Sequence, residues 1–207
     1  MGKDTMLVYL IRHGETDWNV ERRCQGFSDS PLNANGRRQA EATARHLSNI
    51  EMEAIYSSTL SRAHDMARAI ARYQDASVQT TDALRELNQG EFEGLRLTEL
   101  IEKHADFLQQ WLRDPADLTL PGGESMREMQ SRAWSALEEI VEKHSEGDVV
   151  IVAHNLCNMA LLCRIMRLDL TDFRRIQQDV AAINVVEFGG RWPHPVVVRL
   201  NDTCHLQ

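Results

Sequence analysis

The sequence predicts an α/β protein with three layers: a mainly parallel central sheet with helices on both faces. Three observations predict it. Strand-like apolar runs alternate with helical-period segments from one end of the chain to the other. Two runs, residues 6–11 and 149–153, are apolar throughout, as parallel strands covered on both faces must be. No internal repeat, low-complexity tract or linker divides the 207 residues, so residues 1–207 read as one domain.

The elements follow in order. Residues 6–11 form the first strand, rich in β-branched and aromatic residues, and it stops at Arg12-His13-Gly14. Residues 30–33 lead into a helix over 35–47, with Ala40, Ala44 and Leu47 at helical spacing. Residues 54–57 are a short second strand. A helix over 60–71 follows, with Ala63, Ala67 and Ile70 on its inner stripe. Val78 lies in a weak third strand, and 84–97 is irregular, with Gly90 and Gly94 as breakers.

Residues 98–111 are helical in two pieces, broken at Asp114-Pro115, and Pro121-Gly122-Gly123 makes a turn. Ser125 and Glu128 have capping-box spacing and start a long helix through Val141, with Gly147 ending that region. Residues 149–153 are the next strand and 155–166 a buried helix. Residues 171–176 form a short helix. Strands over 183–188 and 196–200 flank a hairpin at Gly189-Gly190 and add an antiparallel element. The stretch 91–123 is either a small cap over the site or a surface excursion. The strand over 196–200 either pairs across a homodimer or forms an internal edge.

Hydrophobic residues make up 43% and charged residues 26%, enough to bury a sizeable core. A net charge of −8 argues against non-specific nucleic-acid binding, while local arginines still permit an anionic substrate. Cys24, Cys157, Cys163 and Cys204 form neither a C-x-x-C pair nor a disulfide framework, which fits reduced thiols in the cytoplasm. Eight histidines include no H-x-H or H-E-x-x-H, so no metal site is expected. Residues 1–6 lack the apolar core of a signal peptide and the full myristoylation pattern, and no run approaches membrane-spanning length.

Ligands of open α/β sheets bind beyond the carboxyl ends of the strands. Arg12 and His13 therefore sit at the mouth of a site, where a fixed cation beside an imidazole suits an anionic substrate and a nitrogen nucleophile. Gly14 permits a close turn. Ser57-Ser58-Thr59-Leu60-Ser61-Arg62 joins a strand end to a helix N-terminus, where free N–H groups and the Arg62 fork suit phosphate. His154, at the end of the 149–153 strand, mirrors His13. Carboxylates crowd residues 86–93, and chemistry alone does not choose among them.

Arg12-His13-Gly14-Glu15-Thr16 with Trp18-Asn19 resembles the signature of the histidine phosphatase superfamily, also called phosphoglycerate mutase-like, and the resemblance runs over nearly the whole chain. It implies that His13 is transiently phosphorylated. Arg12, Arg62, Asn19 and His154 then hold the phosphoryl oxygens, and Gln25-Gly26 contact substrate. It selects Glu86, ahead of Gly90 and Gly94, as the general acid/base, and leaves Glu91 and Glu93 solvated or structural. Asn155 stands where the family has a small residue, most often glycine, which bears on the shape of the pocket.

The compact span from Gly94 to Pro121-Gly122-Gly123 is similar to the phosphatase branch, and the ending 200–206 is similar to its ribazole and phosphoserine phosphatases. His205 either reaches the substrate's non-phosphate end or belongs to the tail. The function implied is metal-independent hydrolysis of small phosphorylated metabolites without a cofactor. The alternatives are a 2,3-bisphosphoglycerate-dependent phosphoglycerate mutase and a catalytically silent phospholigand-binding protein. Neither nucleic acid nor membrane is an expected partner.

Overall fold

A computed structural model describes residues 5–144 and 147–207. Residues 1–4 of the N-terminal reading lie outside the described residues. The chain runs β1 (Met6–Arg12), α1 (Asp17–Val20), α2 (Ala34–Leu47), β2 (Ala54–Ser58), α3 (Ser61–Ala71), β3 (Val78–Thr81), α4 (Leu97–Lys103), α5 (Ala105–Arg113), α6 (Met126–Lys143), β4 (Val149–Ala153), α7 (Asn155–Met166), β5 (Ile183–Phe188) and β6 (Val196–Asp202). Single 3-10 turns lie at Asp82–Leu84, Gly90–Phe92 and Cys204–Leu206, and a longer 3-10 segment at Leu170–Arg175.

The sheet order is β3-β2-β4-β1-β5-β6. The pairs β3–β2, β2–β4 and β4–β1 are parallel. Only β5 runs against that direction, so it pairs antiparallel both with β1 and with β6. The strand over 196–200 is thus an edge strand paired with β5 through a shifted register, and it extends to Asp202.

The pleat divides the buried strand residues between two cores, as period-2 alternation requires. Val149 and Ile151 of β4 face Met129, Ala133, Leu137 and Ile140 of α6 and Ala160 and Leu161 of α7. Val150 and Val152 face Ala40, Ala44 and Leu47 of α2 and Ala63, Met66 and Ile70 of α3. Helices on both faces explain why β4 carries no polar residue.

One boundary and one short element differ from the sequence reading. The helix begun by Ser125, whose Oγ accepts the Glu128 N–H, ends at His144 rather than near Gly147. His144 is tied there, with Nε2 on the Tyr56 hydroxyl at 2.8 Å and Nδ1 on Glu53 at 2.7 Å. In the loop after β1, Thr16 caps the one-turn helix α1, an element too short to show periodicity. Among the described residues no helix is long and apolar enough to cross a membrane.

Candidate active site

Parallel pairing of β1 with β4 places Arg12 beside Ala153, so the next residues, His13 and His154, emerge together. Their rings lie 5.1 Å apart, edge to face at 60°. His13 Nδ1 is 2.7 Å from the Gly14 carbonyl, which can only accept. The proton is therefore on Nδ1, and Nε2 carries the lone pair. Burial, then Arg62, then Arg12 hold the His13 pKa well below 6.5. The ring is neutral at pH 7.

His154 is wholly buried, and neither ring nitrogen has a protein partner. Burial, then Arg62 and His13, push its pKa well below 6.5 too. Arg62 is also wholly buried. Its Nη1 and Nη2 donate to the carbonyls of Ser28 and Gly26, both at 2.8 Å, while Nε has no partner. Burial lowers its pKa to about 10, which leaves it charged at neutral pH. Arg12 donates from Nη1 to the Gln178 carbonyl at 2.5 Å, and its Nε is again unpartnered. Buried donors without partners are rare in proteins, and several gathered at one strand mouth make an anion-binding cradle.

Glu86 closes the site. It is only 6% exposed. Its Oε1 accepts the N–H groups of Leu87 at 2.9 Å and Cys157 at 3.2 Å, and Oε2 accepts that of Leu156 at 3.1 Å. The first-turn amides of α7 are therefore engaged by this carboxylate rather than free for phosphate. The amide of Ser61, at the start of α3, is likewise taken by Asp29 at 2.8 Å. At α3 this departs from the free N–H groups expected from sequence.

A family profile for the histidine phosphatase superfamily (branch 1) matches residues 8–203. The chain belongs to this superfamily. It is 33% identical over 199 residues to phosphoserine phosphatase 1 of Hydrogenobacter thermophilus, covering 96% of this chain and 93% of that one. It is 35% identical over 202 residues to the protein named probable phosphoglycerate mutase GpmB of Escherichia fergusonii, covering 96% and 94%. The solved mycobacterial glucosyl-3-phosphoglycerate phosphatase, complexed with VO3, superposes with a TM-score of 0.87 at 27% identity, covering 95% and 99%. As a member of the superfamily the protein is an enzyme of the histidine phosphatase type.

This histidine phosphatase gathers His13, His154, Arg12, Arg62 and Glu86, the five residues singled out as catalytic. Asn155, at the start of α7, has its Oδ1 buried without a partner. Asn19 and Gln25 turn their side-chain oxygens to Thr16. Asn19 Oδ1 accepts the Thr16 N–H at 3.0 Å, and Gln25 Oε1 accepts the Thr16 hydroxyl at 3.0 Å. Both therefore brace the loop after β1, with their NH2 groups outside this network. Gly26 has φ +42°, and a Cβ there would lie 2.1 Å from Glu93 Oε1.

His205 makes its contacts on α2. Its Nε2 lies 2.9 Å from the Thr43 hydroxyl, and its ring stacks on His46 at 5.3 Å, both residues of α2.

Three supports stand behind Arg62, Glu86 and Arg12, and the sequence reading foresaw only that Glu93 is solvated or structural. Glu93 Oε1 accepts the Phe27 N–H at 2.6 Å and Oε2 the Ser28 N–H at 2.6 Å, fixing the loop whose carbonyls hold Arg62. Arg132 of α6 donates to the carbonyls of Ala83, Arg85 and Glu86 and to Glu124, fixing the backbone that presents Glu86. Gln178 and Asn184 exchange amide hydrogen bonds at 2.8 Å, and Asn184 Nδ2 also donates to Leu10, which steadies the carbonyl that receives Arg12. Each spans chain segments that no local motif connects.

Proposed function

We propose that this enzyme hydrolyses small phosphomonoesters through a phosphohistidine at His13. The observation that carries the reading is the His13 tautomer. A proton fixed on Nδ1 by the Gly14 carbonyl leaves Nε2 as a neutral nucleophile between two guanidinium groups.

Nε2 attacks phosphorus, the P–N bond forms and the P–O bond to the alcohol breaks. Arg12, Arg62 and His154 donate to the equatorial oxygens and offset their charge. Glu86 delivers a proton to the departing oxygen, then takes one from the water that hydrolyses the P–N bond. The product is inorganic phosphate, and His13 and Glu86 return to their starting states. The substrate class is a small anionic phosphorylated metabolite, bound without metal or cofactor. Four free thiols, two of them fully buried, fit a cytoplasmic setting. The stretch 91–123, which carries α4 and α5, is the cap.

The test is phosphate release from phosphoserine, 3-phosphoglycerate, ribazole phosphate, sugar phosphates and p-nitrophenyl phosphate, with chelator present and no bisphosphoglycerate. Release with a clear preference supports the reading. Interconversion of 2- and 3-phosphoglycerate only when bisphosphoglycerate is supplied would assign a mutase instead.

A further inference from the structure

Asn201 lies near the end of the edge strand β6, and its hydrogen bonds run to the segment that holds Arg12. Its Oδ1 accepts the Asp179 N–H at 2.7 Å, and its Nδ2 donates to Asp179 Oδ2 at 2.8 Å. Its own N–H donates to Asn184 Oδ1 at 2.9 Å. A backbone N–H only donates and a carboxylate only accepts, so the partners fix which way the amide points.

The backbone is bent to make these bonds. From Ile183 to Val185, β5 advances two residues while β6 takes three, from Asp202 to Arg199. The extra residue makes a bulge, a feature that re-aims side chains beside active sites. Asn201 has φ +52°, in the left-handed region that asparagine adopts more readily than most residues.

From there the contacts converge on β1. Asn184, wholly buried, holds the Gln178 amide through two hydrogen bonds and donates to the Leu10 carbonyl. The Gln178 carbonyl receives Arg12 Nη1 at 2.5 Å. The Ala182 carbonyl accepts the Arg12 N–H at 3.1 Å, and the Ala182 N–H donates to the Asp179 carbonyl at 3.2 Å. The Ala181 N–H donates to the His13 carbonyl at 3.0 Å. The Asn201 amide, then Gln177, hold the Asp179 carboxyl below its usual range, and the nearby charge of Arg12 adds to this.

We propose that Asn201 is a positioning residue for the reaction: by clamping Asp179 and Asn184 from the sheet edge, it holds the Gln178 carbonyl and thereby aims the Arg12 guanidinium at the phosphoryl oxygens. The proposal rests on the phosphatase reading above, which gives Arg12 its task. Two points carry it. Residues 177–182 belong to no helix or strand, so side-chain bonds rather than a ladder keep that carbonyl in place. Among the described residues, the Gln178 carbonyl is also the one group to which the Arg12 side chain donates, so its position sets where the guanidinium points.

The experiment measures the Kd of inorganic phosphate by titration calorimetry, and kcat/KM for p-nitrophenyl phosphate, in wild type, Asn201→Gly, Arg12→Gln and the double variant. Glycine accepts the positive φ and keeps the N–H to Asn184, so Asn201→Gly removes the side-chain clamp alone. It should weaken phosphate binding about tenfold and lower kcat/KM by about 10- to 100-fold. In the Arg12→Gln enzyme the same change should move the phosphate Kd by less than about twofold, because the clamp then has nothing to aim. A second readout needs no change at Arg12. In 15N spectra the Arg12 Nη signals should be separate in wild type, where the Gln178 carbonyl restrains the guanidinium, and merged by rotation in Asn201→Gly.

An equal loss in both backgrounds, an unchanged phosphate Kd in Asn201→Gly, or Arg12 signals that this change leaves as they were would overturn the proposal. The two readings fail separately. Phosphate binding that needs Asn201 only while Arg12 is present, with no hydrolysis of any ester, would sink the phosphatase reading and leave the clamp standing. Wild-type hydrolysis and phosphate binding in Asn201→Gly would sink the clamp alone.

Discussion

Glu86 and Leu156 meet across a sequence separation of 70 residues: Glu86 Oε2 accepts the Leu156 N–H at 3.1 Å, in the first turn of the helix that His154 begins. The proposed proton donor and the second histidine are thus held by one helix terminus. Glu86 has a structural duty beside its chemical one, because it satisfies amides that a helix start leaves orphaned.

The two duties separate by substitution. Glu86→Ala should lower kcat by about 100- to 10,000-fold and also cost about 1–2 kcal/mol of stability through the lost cap. Glu86→Gln keeps a carbonyl for the α7 amides and should recover most of the stability but little of the turnover. Steady-state kinetics and urea unfolding on both variants check this. Equal activity in the Gln variant and wild type would remove Glu86 from proton transfer.

Glu93 should act at a distance from the phosphoryl group. It pins Phe27 and Ser28, and the Gly26 and Ser28 carbonyls orient Arg62. Loosening that loop misplaces a guanidinium by about an ångström, a change able to cost about 100-fold. Glu93→Ala should therefore lower kcat/KM by about 10- to 100-fold, chiefly through a higher KM, with Glu93→Asp intermediate. Unchanged KM for phosphate ester in Glu93→Ala would show that the loop does not set Arg62.

This division explains what the sequence revealed. His13, His154 and Arg62 stand at strand ends or helix starts, where local apolar runs and breakers make the position visible, and the resemblance supplied Glu86. The supports from Glu93, Arg132, Gln178 and Asn184 join segments far apart in the chain, and a polar residue in a loop carries no periodicity to announce its partner. The sheet order was hidden for the same reason. Residues 183–188 read as a strand, but only packing reveals that β5 runs antiparallel against β1. His205 reads as a tail histidine or a ligand of substrate, and its contacts with Thr43 and His46 arise from the fold alone.

Acid should weaken the fold through two histidines. His13 and His154 both have pKa values pushed well below 6.5, chiefly by burial and Arg62. Well above pH 6.5 both are neutral, folded or unfolded. As pH falls below 6.5 the unfolded chain binds protons that the fold refuses, so stability drops by up to about 1.4 kcal/mol per pH unit for each histidine. Urea unfolding between pH 7.5 and 5.5 should show a shallower slope in His13→Gln and in His154→Gln than in wild type. Parallel slopes in all three proteins would contradict the assigned charge states.

Gly36 should tolerate no side chain. A Cβ there would lie 2.0 Å from the Glu15 carbonyl oxygen, and one on Gly14 would lie 2.7 Å from the Gly36 carbonyl oxygen. Backbone meets backbone, so neither side can yield. Gly36→Ala should cost about 2–4 kcal/mol and disturb the loop after His13. Thermal unfolding checks the first expectation and kcat/KM the second. A variant as stable and active as wild type would show that α2 can shift away without consequence.

The central claim is that His13 carries the phosphoryl group. Rapid quenching during turnover, followed by peptide mass spectrometry under alkaline conditions, tests it most directly. The predicted result is a transient phosphoryl group on the peptide containing His13, lost together with turnover in a folded His13→Ala enzyme. A phosphoryl group on another residue, or His13→Ala turning over at the wild-type rate, would contradict the account.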